Sequence, residues 1–158
     1  MDYSAPVGFR LAAKHPERVS AIIVKNGNAY DEGIAKFWDP IKVYFKTGAP
    51  AERESIRWLM LAKTTLWQYT NGAPDTSLVN PDARTLDQVF LDRPGNQEIP
   101  LDLSYDYRTN IPLYPEWQAY FRQYKPPMLI VWEKNDEISI SRGAAPLRRD
   151  IPNAETYV

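Results

Sequence analysis

The sequence contains no cysteine and a single histidine among its 158 residues. Without cysteine there is no disulfide framework, no thiolate metal site and no cysteine nucleophile, which suits a reducing compartment; a soluble, cytoplasmic chain is expected. An excess of one charge sign is also missing. Nineteen Lys and Arg face twenty Asp and Glu, a formal net charge of -1, and the signs are mixed along the chain. No basic stripe stands ready to neutralise phosphates, so a nucleic-acid partner is not expected. Long apolar runs are absent as well: runs such as "AIIV" and "MLIVW" are far too short to span a bilayer, and the opening residues do not show the basic, apolar and small-residue pattern of a leader. No membrane partner is expected. There is no internal repeat and no low-complexity segment.

Aromatic residues are plentiful, at 13% with five Trp and ten Tyr, enough for a large core or a ring-lined pocket. The length suits one compact domain with a real core. "SAPVGFRLAAKHP" predicts a helix over residues 5–15, with Val7, Leu11 and Lys14 at helical spacing, Pro6 near the first turn and Pro16 as the stop. Two apolar runs without polar alternation follow roughly a hundred residues apart, at residues 19–25 and 128–132. Each predicts a strand buried on both faces, and together they predict an α/β fold with a parallel sheet.

Between the strands the texture changes. "AERESIRWLMLAKTTLWQY" carries Ile56, Leu59, Met60, Lys63, Leu66 and Trp67 on one side of a helix. "NPDARTLDQVFLDRPG" reads as a capped helix with Asn80 as N-cap, Pro81 at the first position and a stop at Pro94 and Gly95. "YPEWQAYFRQY" starts another helix at Pro115. The expected organisation is core over residues 1–30, a helical cap over 31–124 and core again over 125–158, one discontinuous core with an all-helical insertion.

The opening "MDYSAPVGFR" has the composition of a nucleophile elbow, in which a reactive side chain stands out from a sharp strand-to-helix turn and its neighbours stay small. Asp2, followed by Tyr3, Ser4, Ala5 and then Gly8, fits with Asp2 as the nucleophile; Ser4 does not, since Asp2 occupies the position that would have to be small. Read without further context, an aspartate such as Asp2 near the chain start is most often a solvated residue, and "NDE" at residues 135–137 is more often a turn. Tyr107 is more often a packed ring with a bonded hydroxyl. Asn26 and Asn28 sit just past a parallel strand, where ligands of open α/β sheets collect, so they either line a pocket or merely end the strand. His15, before Pro16, reads as an exposed helix-end residue favoured by the dipole, outside catalysis.

"DYSAPVGFRLAAKHPERVSAIIVKNG" resembles the nucleophile helix and following strand of α/β-hydrolase-fold enzymes of the epoxide hydrolase and haloalkane dehalogenase group. "PPMLIVWEKNDEISISRGAAPLRRDIPNAE" is similar to their penultimate strand, acid-bearing loop and next helix. "YFKTGAPAERES" and "DYRTNIPLYPEW" resemble early and late cap segments. The resemblance implies a partial α/β-hydrolase fold. It places Asp2 on the nucleophilic aspartate, Asp136 on the acid of the triad and Tyr107 on a tyrosine that helps open an epoxide ring. The sequence departs from the group in three places: Ile41 stands where a first ring-opening tyrosine is usual, Tyr3 where dehalogenases carry tryptophan, and Glu133 where glycine is usual.

On this resemblance Asp2, ionised at neutral pH, attacks an sp³ carbon of a small apolar substrate and forms an alkyl ester. Water then hydrolyses the ester, activated by a histidine that Asp136 orients, while the backbone N–H of Tyr3 helps to hold the oxyanion. No metal or organic cofactor is implied. The histidine of the group follows its last strand, and the nucleophile's own strand precedes the elbow, so the 158 residues are expected to be part of a longer parent, with self-association of the exposed strands. The alternatives are a dehalogenase or ester hydrolase on the same scaffold, and a non-catalytic remnant acting only through association.

Overall fold

The structure, a computed structural model, describes residues 3–158; Met1 and Asp2 lie outside the described residues. The chain is mixed α/β and forms two compact units, one of residues 3–38 with Thr109–Val158 and one of Asp39–Arg108. In chain order the first unit opens with α1 (Ser4–Lys14) and β1 (Ile22–Lys25). The helical unit holds α2 (Asp39–Thr47), α3 (Pro50–Ser55), α4 (Ala62–Thr70), α5 (Pro81–Leu91) and α6 (Glu98–Asp106). The first unit then resumes with α7 (Tyr114–Tyr124), β2 (Met128–Val131), α8 (Ala144–Asp150) and β3 (Glu155–Tyr157).

The three strands are parallel in the order β1-β2-β3, with Ile22 opposite Met128, Val24 opposite Ile130 and Val131 opposite Tyr157. Because side chains alternate across a strand, Val24, Met128 and Ile130 share one face. That face joins a core with Phe9 of α1, Trp117 and Phe121 of α7, and Leu147 of α8. The Phe9 ring lies 5.6 Å from Trp117 and 5.2 Å, edge-on, from Phe121. Each such buried side chain contributes about 1.5–3 kcal/mol of transfer free energy. Lys125 closes α7 in the left-handed conformation, φ 44°, its N–H donating to the Phe121 carbonyl at 3.0 Å. Pro126 and Pro127 then forbid further helix and deliver the chain to β2.

Two sequence expectations change. The apolar runs predict strands buried on both faces, yet Ile23 is 75% exposed and β2 alternates between buried and half-buried residues. The helices of this unit contribute to one core cluster, with Val24 and Ile130, so among the described residues they cover the sheet face that carries those two side chains. Likewise the core stripe of α1 is Pro6, Phe9 and Ala12, while Val7 and Leu11 point outward.

In the helical unit Ile56 and Leu101 are fully buried, with Ile41, Tyr44 and Met60 nearly so. Gly48 ends α2 at φ 62°, where an added Cβ would strike the Tyr105 ring. Arg53 reaches Glu98 at 2.9 Å and Asp102 at 2.6 Å, and Arg57 bridges Glu54 and Glu98, which ties α3 to α6. The single helix expected from "AERESIRWLMLAKTTLWQY" is instead α3, a 3₁₀ turn (Arg57–Met60) and α4. The tighter turn and the extended backbone of Leu61 reset the buried face from Ile56 and Met60 to Thr64 and Thr65, leaving Lys63 and Leu66 exposed. Asn80 caps α5 as expected, accepting from the Asp82 N–H at 2.9 Å. Among the described residues no helix is long and apolar enough to cross a membrane.

Candidate functional site

β1 ends at Lys25 and the chain turns at Asn26 with φ 49°, a left-handed conformation that Asn tolerates better than most residues. The Asn26 N–H still donates to the Val131 carbonyl at 3.1 Å, extending the sheet by one bond. Its side chain then crosses to the loop after β2: Oδ1 accepts the Glu133 N–H at 3.1 Å, and Nδ2 donates to Asp136 Oδ2. Asp136 therefore sits at the carboxyl end of β2, beside the carboxyl end of β1.

The loop carrying Asp136 is held from several sides. Oδ1 of Asp136 accepts the N–H groups of Ile138 at 2.7 Å and Ser139 at 3.0 Å. Trp132 Nε1 donates to the Ser139 carbonyl and Trp38 Nε1 to that of Ile138, the latter at 2.8 Å. Ile34 forms an antiparallel bridge with Ser139. Gly143 lies against the Trp132 ring, where a Cβ would come within 2.7 Å of it. A carboxylate fixed in this way is an acceptor of defined direction, suited to orienting an N–H donor such as imidazole.

The N-terminus of α1 reaches the same edge of the sheet. Gly27, next after Asn26, packs so closely that an added Cβ would be 2.6 Å from the Ala5 Cβ in the first turn of α1. Tyr3 is the residue before that helix, and its carbonyl accepts the Val7 N–H at 3.0 Å. A helix N-terminus carries N–H donors that the helix cannot pair and a partial positive charge. The geometry thus gathers Tyr3, Asn26 and Asp136 at one edge.

The other predicted site residues fare differently. Asp2 lies outside the described residues. Asn28 is buried and turned inward: its Oδ1 accepts the Tyr30 N–H at 3.2 Å, its Nδ2 donates to the Tyr114 hydroxyl at 3.4 Å, and Gly33 packs on the amide. Tyr107 belongs to the helical unit, 6% exposed, its ring stacked on Phe45 at 6.4 Å. His15 ends α1, 3.5 Å from Glu17. An 11-residue helix rising about 1.5 Å per residue separates it by roughly 16 Å from the end that meets Gly27. Glu133 and Tyr114 are polar partners that sequence reasoning did not assign. Glu133 had a signal, standing where glycine is usual; Tyr114 had none beyond preceding Pro115. Among the described residues no group of three or more His, Asp or Glu is placed to hold a metal ion.

The chain is similar to an uncharacterized hydrolase of Saccharomyces cerevisiae, with 42% identity over 156 residues, 96% of this chain. The chain spans about half of that relative's length, 54%. No family model matches the sequence.

Proposed function

We propose that the chain belongs to a hydrolase of the α/β-hydrolase fold, of the epoxide hydrolase and haloalkane dehalogenase group, acting on a small apolar substrate through an aspartate nucleophile. The observation that carries this reading is the clamped Asp136 carboxylate at the end of β2, with the N-terminus of α1 brought to the neighbouring strand end by Gly27. Ligands of open α/β sheets collect at that edge. The similarity to a protein named as a hydrolase supports it.

In this mechanism the Asp2 carboxylate attacks an sp³ carbon, breaking its bond to the epoxide oxygen or halide and forming an alkyl ester. The N–H of Tyr3 stabilises the oxyanion when water adds to the ester. Asp136 orients the base that activates this water. His15 is at the wrong end of α1, so the proposed base is a histidine outside these 158 residues. Tyr107 is proposed, on the resemblance alone, as a hydroxyl donor to the departing oxygen. The experiment is intact-mass and peptide mass spectrometry after incubation with a small epoxide and a haloalkane. An adduct on Asp2 that disappears in Asp2→Asn is expected; the absence of any Asp2-specific adduct overturns the reading.

A further inference from the structure

We propose that Asn26 is the positioning residue of the Asp136 carboxylate, rather than a wall of the pocket. The inference rests on Asp136 being the acid of the proposed hydrolase. A carboxylate offers four lone-pair directions. Two backbone N–H groups take those of Oδ1, and Asn26 Nδ2 takes one on Oδ2. Asn26 thereby fixes the direction in which Oδ2 faces a base.

Asn26 is itself fixed from the side of β2. Its N–H is bonded to Val131 and its Oδ1 to the Glu133 N–H, so amide and carboxylate are held by the same strand end. The left-handed backbone at Asn26 suits glycine best and is tolerated by asparagine. Glycine has no side chain to reach Asp136, which gives asparagine here a reason. Lys25, the cation beside Asn26 in sequence, pairs with Glu133 at 3.4 Å.

Two substitutions separate positioning from turn formation. Asn26→Gly relieves the backbone and deletes the donor. Asn26→Asp keeps the size and the acceptor for the Glu133 N–H, but faces Asp136 with a second carboxylate. The Asp2 alkyl ester is formed first, then released by adding imidazole as an external base. Water adds to the ester carbonyl as imidazole takes its proton; the carbon–oxygen bond to the alkoxide breaks, the alkoxide is protonated, and the Asp2 carboxylate returns. The expected result is that imidazole-dependent release, measured relative to ester formation in the same protein, slows ~10-fold or more in both variants, as lost general-base assistance would give. Unchanged release in both variants overturns the proposal.

A second measurement does not need the ester. Asn26→Asp should melt lower than the parent at about pH 7 and recover at about pH 4, as the facing carboxylates share a proton. Glu133 Oε2 is 3.5 Å from Asn26 Nδ2 and itself pairs with Lys25, so the comparison is repeated with Asp136→Asn and with Glu133→Gln. Loss of the pH effect in Asp136→Asn alone supports the pairing, and its loss in Glu133→Gln alone overturns it. If the parent forms no Asp2 ester, the hydrolase reading fails, while the melting comparison still decides whether Asn26 acts on Asp136.

Discussion

The hydroxyl of Tyr30 donates to Asp150 Oδ2 at 3.0 Å, and Arg122 Nη1 donates to the same oxygen at 2.8 Å. Tyr30 and Asp150 are both buried. One carboxylate therefore joins the segment after β1 to α7 and α8. Removing it leaves the buried Tyr30 phenol without its acceptor, while the half-exposed Arg122 guanidinium turns to water, so Asp150→Ala is expected to lower stability by ~1–3 kcal/mol. Asp150→Asn should lose less, and denaturant unfolding of the three proteins gives the order.

The same contact sets an alkaline limit. Burial, and then the bond to Asp150, raise the Tyr30 phenol far above its ordinary value. A group whose folded value is raised contributes stability that is complete below its unfolded value, about pH 10, and is lost as pH rises beyond it, with a slope of up to about 1.4 kcal/mol per pH unit. Tyr30→Phe should therefore lose about 1 kcal/mol near neutrality and show a flatter decline above about pH 10. Denaturant melts across the alkaline range test both parts.

Gly27 is required for space. An alanine there would bring its Cβ to 2.6 Å from Ala5 Cβ and 2.9 Å from Val24 Cγ1, neither of which is the loose end of a long side chain. Gly27→Ala is expected to cost about 1–3 kcal/mol as an overpacked site. Ala5→Gly should restore part of that loss in the double variant while being mildly destabilising alone, a coupling that thermal melts of the four proteins would expose.

In the helical unit, Asn80→Ala removes the acceptor of the Asp82 N–H and should cost ~1 kcal/mol. Asn80→Ser should retain most of the cap. Hydrogen exchange along α5 would locate the change, which should concentrate in its first turn.

What could be read from sequence follows from how local each signal is. The cap at Asn80 and the helix start at Pro115 depend on a few adjacent residues, and both appear in the fold. The break at Leu61 does not announce itself, because the apolar spacing through Met60 continues smoothly in the sequence while the backbone departs from the helix. The place of Asp136 just past a strand was legible from the apolar run that precedes it. Its bond from Asn26 was not, since the two are 110 residues apart and meet only once the parallel register is set. The reading of Asn28 as either pocket or strand end leaned on position alone; its burial against Tyr114 comes from α7, a distant segment.

The register of the sheet has a consequence for how the chain reaches its fold. Pairing Ile22 with Met128 closes a loop of roughly a hundred residues, whose entropy must be met before any strand bond rewards it. The helical unit lies inside that loop and is built mostly from neighbours in sequence, such as α2 with α3 and α4 with α5. Folding of that unit first would shorten the loop to be closed, so the expected order of events runs from the inserted helices to the sheet. The candidate site, which exists only when β1 and β2 are side by side, is then among the last parts of the molecule to form.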